Sequence, residues 1–178
     1  MALTTLDLSN SVRKVPGFPK PGIVFRDITT LLQDKECFRY ANQVLFERYK
    51  ESKIDKVVGI ESRGFILGAT LALRLGAGFV PIRKKGKLPA TSIREEYALE
   101  YGTDSIEIHT DAIAKGERVL IHDDLLATGG TVAAAIRLVE RLGGTIVGVS
   151  FLIELSFLNG KRNLREYDVF SVIQVPEE

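Results

Sequence analysis

Residues 119–131 read Val119-Leu120-Ile121-His122-Asp123-Asp124-Leu125-Leu126-Ala127-Thr128-Gly129-Gly130-Thr131. An apolar run ends in two adjacent carboxylates, and a small turn rich in hydroxyls and glycine follows. After it, Val132, Ala135, Ile136, Val139 and Leu142 recur at helical spacing until Gly143-Gly144 ends the pattern. The order is strand, turn, helix N-terminus. Such a turn can aim several backbone N–H groups at a phosphate, with the helix dipole behind them. Asp123 and Asp124 stand at the carboxyl end of the strand, where open α/β sheets place their ligands. Amides for a phosphate beside carboxylates for hydroxyls suit a ribose 5-phosphate. The segment is not a Walker loop, since no Lys-Ser or Lys-Thr follows the glycines, and it lacks the G-x-G-x-x-G spacing of a dinucleotide site. The plain alternative is a strand-to-helix turn with both aspartates as solvated caps.

These thirteen positions resemble, without a gap, the 5-phosphoribosyl-1-pyrophosphate (PRPP) motif of the type I phosphoribosyltransferases. The resemblance implies that Asp123 and Asp124 hold the ribose hydroxyls and that Ala127, Thr128, Gly129, Gly130 and Thr131 hold the 5-phosphate. His122 departs from the aliphatic residue usual in the motif. On a strand it points away from Asp123, and it reads as a packing variation.

The rest of the chain fits one α/β domain over residues 1–178. Lys56–Ile60, Phe79–Arg83, Arg118–Asp123, Thr145–Leu155 and Val169–Val175 read as strands. Between them fall helical patterns over 36–50, capped by Asp34, and over Gly64–Leu75, ended by Gly76. The second is apolar almost all round, so it should be fully buried or lie against another subunit. Residues 3–14 suggest a short helix, broken by Pro16, Pro19 and Pro21. Residues 84–111 read as a long polar loop with a β-hairpin at its end. Strands alternating with helices imply a central parallel sheet covered on both faces. A hood over about residues 1–34 and a mobile loop over about 84–111 complete the expected layout.

Composition sets bounds. With 24 Lys and Arg against 23 Asp and Glu, the net charge of +1 gives no argument for nucleic acid or a membrane surface. One cysteine, Cys37, excludes an internal disulfide and fits a reducing compartment. No window is long and apolar enough to span a bilayer, so the expectation is a cytoplasmic protein.

Four further segments carry chemistry. Gly59-Ile60-Glu61-Ser62-Arg63-Gly64-Phe65 is a second strand running into a helix start, with Arg63 beside free amides. It is either a surface helix start or a site for pyrophosphate, which Arg can hold with two donors. Arg83-Lys84-Lys85-Gly86-Lys87 sets four cations in five residues, as a solvated turn or as an anion clamp. Ala98-Leu99-Glu100-Tyr101-Gly102 lies in the long loop. Phe18-Pro19-Lys20-Pro21-Gly22-Ile23-Val24-Phe25-Arg26-Asp27-Ile28 is stiff and irregular, and reads as a linker or as a platform for a flat base.

All four resemble segments of the same family, in its order. By that resemblance Glu61, Ser62, Arg63, Arg83, Lys84 and Lys87 bind pyrophosphate, with a cis peptide between Glu61 and Ser62. Glu100 is implied as the proton-transfer residue at the purine, and Tyr101 as the group that shields the site. The proline-rich segment resembles the hood of the adenine-specific members. This implies that the Val24 carbonyl accepts from the adenine amino group, the Arg26 amide donates to ring N1, and Phe25 and Leu155 stack on the two faces. The expected substrates are adenine and PRPP and the products AMP and pyrophosphate, with Mg2+ held mainly by substrate oxygens and water. A homodimer is implied as well. Two rivals stay open: a phosphoribosyltransferase for another base such as hypoxanthine, and a non-catalytic PRPP sensor that binds DNA.

Overall fold

The computed structural model describes residues 7–98 and 103–177, with the side chain of Ala98 left aside. Nine strands and four helices follow in order among the described residues: β1 (Arg13–Pro16), β2 (Val24–Asp27), α1 (Thr29–Gln33), α2 (Lys35–Tyr49), β3 (Lys56–Ile60), α3 (Gly64–Leu75), β4 (Gly78–Lys84), β5 (Ser92–Ala98), β6 (Thr103–His109), β7 (Arg118–Leu126), α4 (Gly130–Arg141), β8 (Thr145–Leu155) and β9 (Val169–Val175). β1 and β2 form a separate antiparallel ribbon. The other seven make one sheet in the order β5-β6-β4-β3-β7-β8-β9. β4, β3, β7, β8 and β9 run parallel, as the alternation of strands and helices predicts.

Along β3 and β7 successive side chains go to opposite faces. Val58, Val119 and Ile121 pack with Ala135, Leu138 and Val139 of α4. Val57 and Leu120 pack instead with Leu45 of α2 and with Leu67 and Leu71 of α3. α4 thus covers one face of the sheet and α2 with α3 the other. No helix among the described residues is long and apolar enough to cross a membrane.

Several expectations need correcting. The helix expected over residues 3–14 is, in its described part, a 3-10 turn over Leu8–Ser11 followed by β1. The long polar loop is mostly strand: β5 and β6 pair along their length, and β6 continues the sheet antiparallel to β4 through Arg83↔Glu107 and Lys84↔Ile106. The sheet is therefore mixed, with a hairpin on one edge. β7 runs on to Leu126, past the aspartates. α3 has the expected bounds but only one buried face, since Leu73 is 82% exposed.

α2 begins where the sequence places it. Asp34 accepts from the Glu36 and Cys37 amides, both at 2.9 Å. Asp34→Ala should lower the denaturant midpoint at unchanged slope, through loss of the two capping bonds; an unmoved midpoint would show that the cap is idle.

Candidate active site

The site lies at the carboxyl ends of β3 and β7. Asp124 is 7% exposed, and its Oδ2 stands 2.8 Å from Arg63 Nε. The Asp124 amide donates to Asp123 Oδ1 at 2.8 Å. Burial, then the neighbouring Asp124 charge, pushes the Asp123 carboxyl well up. Burial also raises Asp124, against the pull of Arg63. Two adjacent carboxylates, Asp123 half-buried and Asp124 buried, with one cation paired to Asp124 leave room for more positive charge. The helix α3 comes close because Gly64 has no side chain: a Cβ there would stand 2.8 Å from Asp123 Oδ1.

Next to the pair, Asp123, Ala127, Thr128, Gly129, Gly130 and Thr131 line a cavity of about 80 Å³. Gly129, at φ +85°, sits at the N-cap of α4, and no side chain caps that end. The first amides of a twelve-residue helix therefore face the turn without a protein acceptor. All the residues that the sequence assigns to this turn come together here. Asn163, which the sequence did not mark, steadies the turn by donating Nδ2 to the Thr128 carbonyl at 3.0 Å. Nothing in the local sequence points to a contact made across 35 positions.

The Glu61–Ser62 peptide is cis. Arg63 opens α3 and joins two parts of the site, reaching Asp124 while its guanidinium lies 5.0 Å from the centre of the Phe25 ring. Three of the four cations of residues 83–87, namely Arg83, Lys84 and Lys87, find anions inside the protein. Glu61 takes Lys87 Nζ at 2.5 Å, the Lys84 amide at 2.9 Å and Arg83 Nε at 3.3 Å. Its carboxylate thus organises the cations rather than facing an anion itself, which it would repel. Glu107, 4% exposed, accepts the Gly86 amide at 2.9 Å and pairs with Arg94 at 2.7 Å. Lys84 Nζ meets Asp104 and, at 2.7 Å, the Tyr97 hydroxyl. Glu107, Asp104 and Tyr97 were not singled out from sequence; they lie on β5 and β6.

Burial alone would raise the Glu61 carboxyl, but Lys87, the Lys84 amide and Arg83 outweigh it and hold it at about 2, against an ordinary 4.5. A depressed carboxyl stabilises the fold fully above the unfolded value and loses that contribution as pH falls through the folded one. Glu61→Gln should therefore flatten the fall of the thermal midpoint between about pH 5 and pH 2. A slope equal to wild type would remove Glu61 from its place as the anchor.

The hood is the β1–β2 ribbon. Phe25 packs edge-on against Phe18 at 5.2 Å. The Gly17 amide donates to the Ile23 carbonyl at 2.7 Å, which sets the phase of the ladder. Two residues on, Val15↔Phe25 is the next hydrogen-bonded pair, so the backbone groups of Val24 and Arg26 turn away from β1. Val24 C=O and Arg26 N–H thus share the free edge of β2. Leu155 ends β8 and is half-buried in the cluster of the α2–α3 face. Glu100 and Tyr101 lie outside the described residues. Among those described, no group of three or more His, Cys, Asp or Glu could cage a metal ion. An ion that reaches Asp123 and Asp124 must bring most of its oxygen ligands with it.

The family model of the phosphoribosyl transferase domain matches residues 27–177. The chain is 58% identical over 167 residues to the adenine phosphoribosyltransferase of Geobacter metallireducens, covering 94% of this chain and 98% of that protein. It superposes on the crystal structure of the adenine phosphoribosyltransferase of Rhodothermus marinus with a TM-score of 0.90 at 58% identity, over 94% and 96% of the two chains. The Saccharomyces cerevisiae enzyme, complexed with an imino-altritol bisphosphate and adenine, gives 0.86 at 44% identity, over 93% and 96%.

Proposed function

The chain belongs to the phosphoribosyl transferase family, as an enzyme that moves the 5-phosphoribosyl group of PRPP onto adenine to give AMP and pyrophosphate, and from that premise we propose how its residues divide the work. The observation that carries the proposal is the Asp123–Asp124 pair set beside an amide-lined cavity of about 80 Å³. The turn from Ala127 to Thr131 anchors the 5-phosphate. Asp123 and Asp124 take the ribose hydroxyls and steady positive charge as it builds on the sugar. With both ends fixed, the anomeric carbon is aimed at the base.

Arg63, Arg83, Lys84 and Lys87 receive the leaving pyrophosphate, in exchange for the acidic partners they hold without it. Mg2+, carried on substrate oxygens and water, adds positive charge where the leaving group gains negative charge. Glu100 moves the proton at the purine and Tyr101 shields the site. Glu100→Gln should then lower kcat more than it raises the KM for adenine; the reverse pattern would make Glu100 a binding group only.

The free edge of β2 decides the base. Val24 C=O accepts from the adenine amino group, Arg26 N–H donates to N1, and Phe25 and Leu155 close on the ring. Hypoxanthine presents an acceptor and a donor at those positions, and two buried mismatches at roughly 1–3 kcal/mol each reject it. Turnover of adenine and hypoxanthine compared at equal PRPP tests this directly. Adenine should win by at least about 100-fold, and preference for hypoxanthine would overturn the assignment.

Two copies associate through α3, whose Ile66 and Leu73 are 39% and 82% exposed. The unpaired Cys37 suits the reducing cytoplasm.

A further inference from the structure

The hood has a second face. Side chains alternate along β2, so Arg26 turns to the side opposite Phe25. Its register partner on β1 is Lys14. Both line a cavity of about 370 Å³ between the ribbon and the ends of β8 and β9, together with Asn10, Gln174, Ile153 and Ile173. Phe25, Leu155, Asp123 and the phosphate turn take no part in it.

Arg26 is 7% exposed, and its Nε is buried without a hydrogen-bond partner. Neither Arg26 nor Lys14 makes a side-chain hydrogen bond or ion pair among the described residues. Glu177, the acid at the cavity, is exposed and pairs with neither. Like charges directly opposite each other on two strands repel. A buried guanidinium nitrogen without a partner, as at Arg26 Nε, is costlier still, and such an orphan calls for an explanation. Two convergent cations, polar amides and an apolar floor match the make-up of a small-molecule pocket.

We propose that this cavity binds a small organic anion. Its carboxylate or phosphate oxygens lie on the Arg26 fork and the Lys14 ammonium, and its apolar body rests on Ile153 and Ile173. An occupant neutralises the repelling pair and braces β2 from behind. Since the free edge of β2 holds the base in the function proposed above, occupancy also tightens adenine binding. That coupling rests on the proposed function; the binding site does not.

The test is titration calorimetry on the full chain, without adenine or PRPP, using benzoate in one arm and phenyl phosphate in the other. At least one probe should bind with a dissociation constant below about 1 mM, and the tighter arm tells carboxylate from phosphate ester. Lys14→Gln should weaken that binding at least tenfold and Arg26→Met should abolish it. If Arg26→Met does not fold, the exposed Lys14 decides alone. No saturable binding of either probe, or an affinity unchanged in Lys14→Gln, overturns the site. With the site confirmed, the saturating probe should lower the KM for adenine in wild type and leave Lys14→Gln unmoved; an unmoved wild type overturns the coupling. Failure to form AMP at all would instead refute the proposed function and leave the anion titration standing.

Discussion

Asp124→Asn is expected to lower AMP formation by about 100- to 1,000-fold, the scale seen when one preorganised electrostatic group is lost from an active site. The fold should survive it. Asp124 sits nearly buried at the end of β7, and asparagine matches it in size. What disappears is the partner of Arg63 and the charge that the proposed function assigns to the sugar. Steady-state rates at saturating PRPP and adenine check the first claim, and rates near wild type would end the role assigned to Asp124. Asp123 makes a complementary case. Its folded carboxyl is raised by burial and by Asp124. A raised acid costs stability at every pH above its unfolded value, and the cost vanishes below that value. Asp123→Asn leaves the Arg63–Asp124 pair in place, so it should melt higher than wild type at pH 7 and equally at about pH 3, while turning over poorly. A lower midpoint at pH 7 would contradict an upward shift of the Asp123 carboxyl.

The second large effect is expected at Gly160, remote from the motif in sequence. A Cβ there would press into the Ala127 carbonyl oxygen and come within 3.0 Å of Leu126 Cδ1. The obstacle is backbone, so it cannot swing aside as a side chain could. Gly160→Ala should cost about 1–3 kcal/mol of stability and shift the phosphate turn. A displacement of about 1 Å at a positioning element can cost up to 100-fold in rate, so kcat/KM for PRPP should fall by about 10- to 100-fold. Unchanged kinetics with PRPP would mean that the turn keeps its shape without the close packing of residue 160.

The contrast between these two sites explains what the sequence makes legible. The PRPP turn is local: strand, carboxylates, glycines and helix start are contiguous, and each element is fixed by its own pattern. The same holds for α3, β8 and β9, whose bounds agree with the reading. Gly160 and Asn163 matter only through contacts across the fold, and their 3-10 segment carries no periodicity to betray them. The β5–β6 hairpin is only half-legible, for another reason. Along β6, Ser105, Ile106, Glu107 and Ile108 alternate polar and apolar, yet all four are buried, because β6 lies inside the sheet between β5 and β4, a position that only the folded chain reveals. Glu107 looks solvated on paper and is instead folded in by Arg94 and the Gly86 amide. α1 escapes notice because it is five residues long and is started from outside, by Asp27 accepting the Thr29 amide at 3.0 Å. β1 has no helical or strand period of its own, being defined by its register with β2.

The ribbon of β1 and β2 shares no ladder with the seven-stranded sheet. By the proposed division of work, discrimination among nucleobases rests mainly on one scaffold and capture of the sugar on another. Mutation can rewrite the first without unravelling the second, and descendants of one ancestral sugar-handling core could acquire new base preferences by exchanging little more than a surface ribbon.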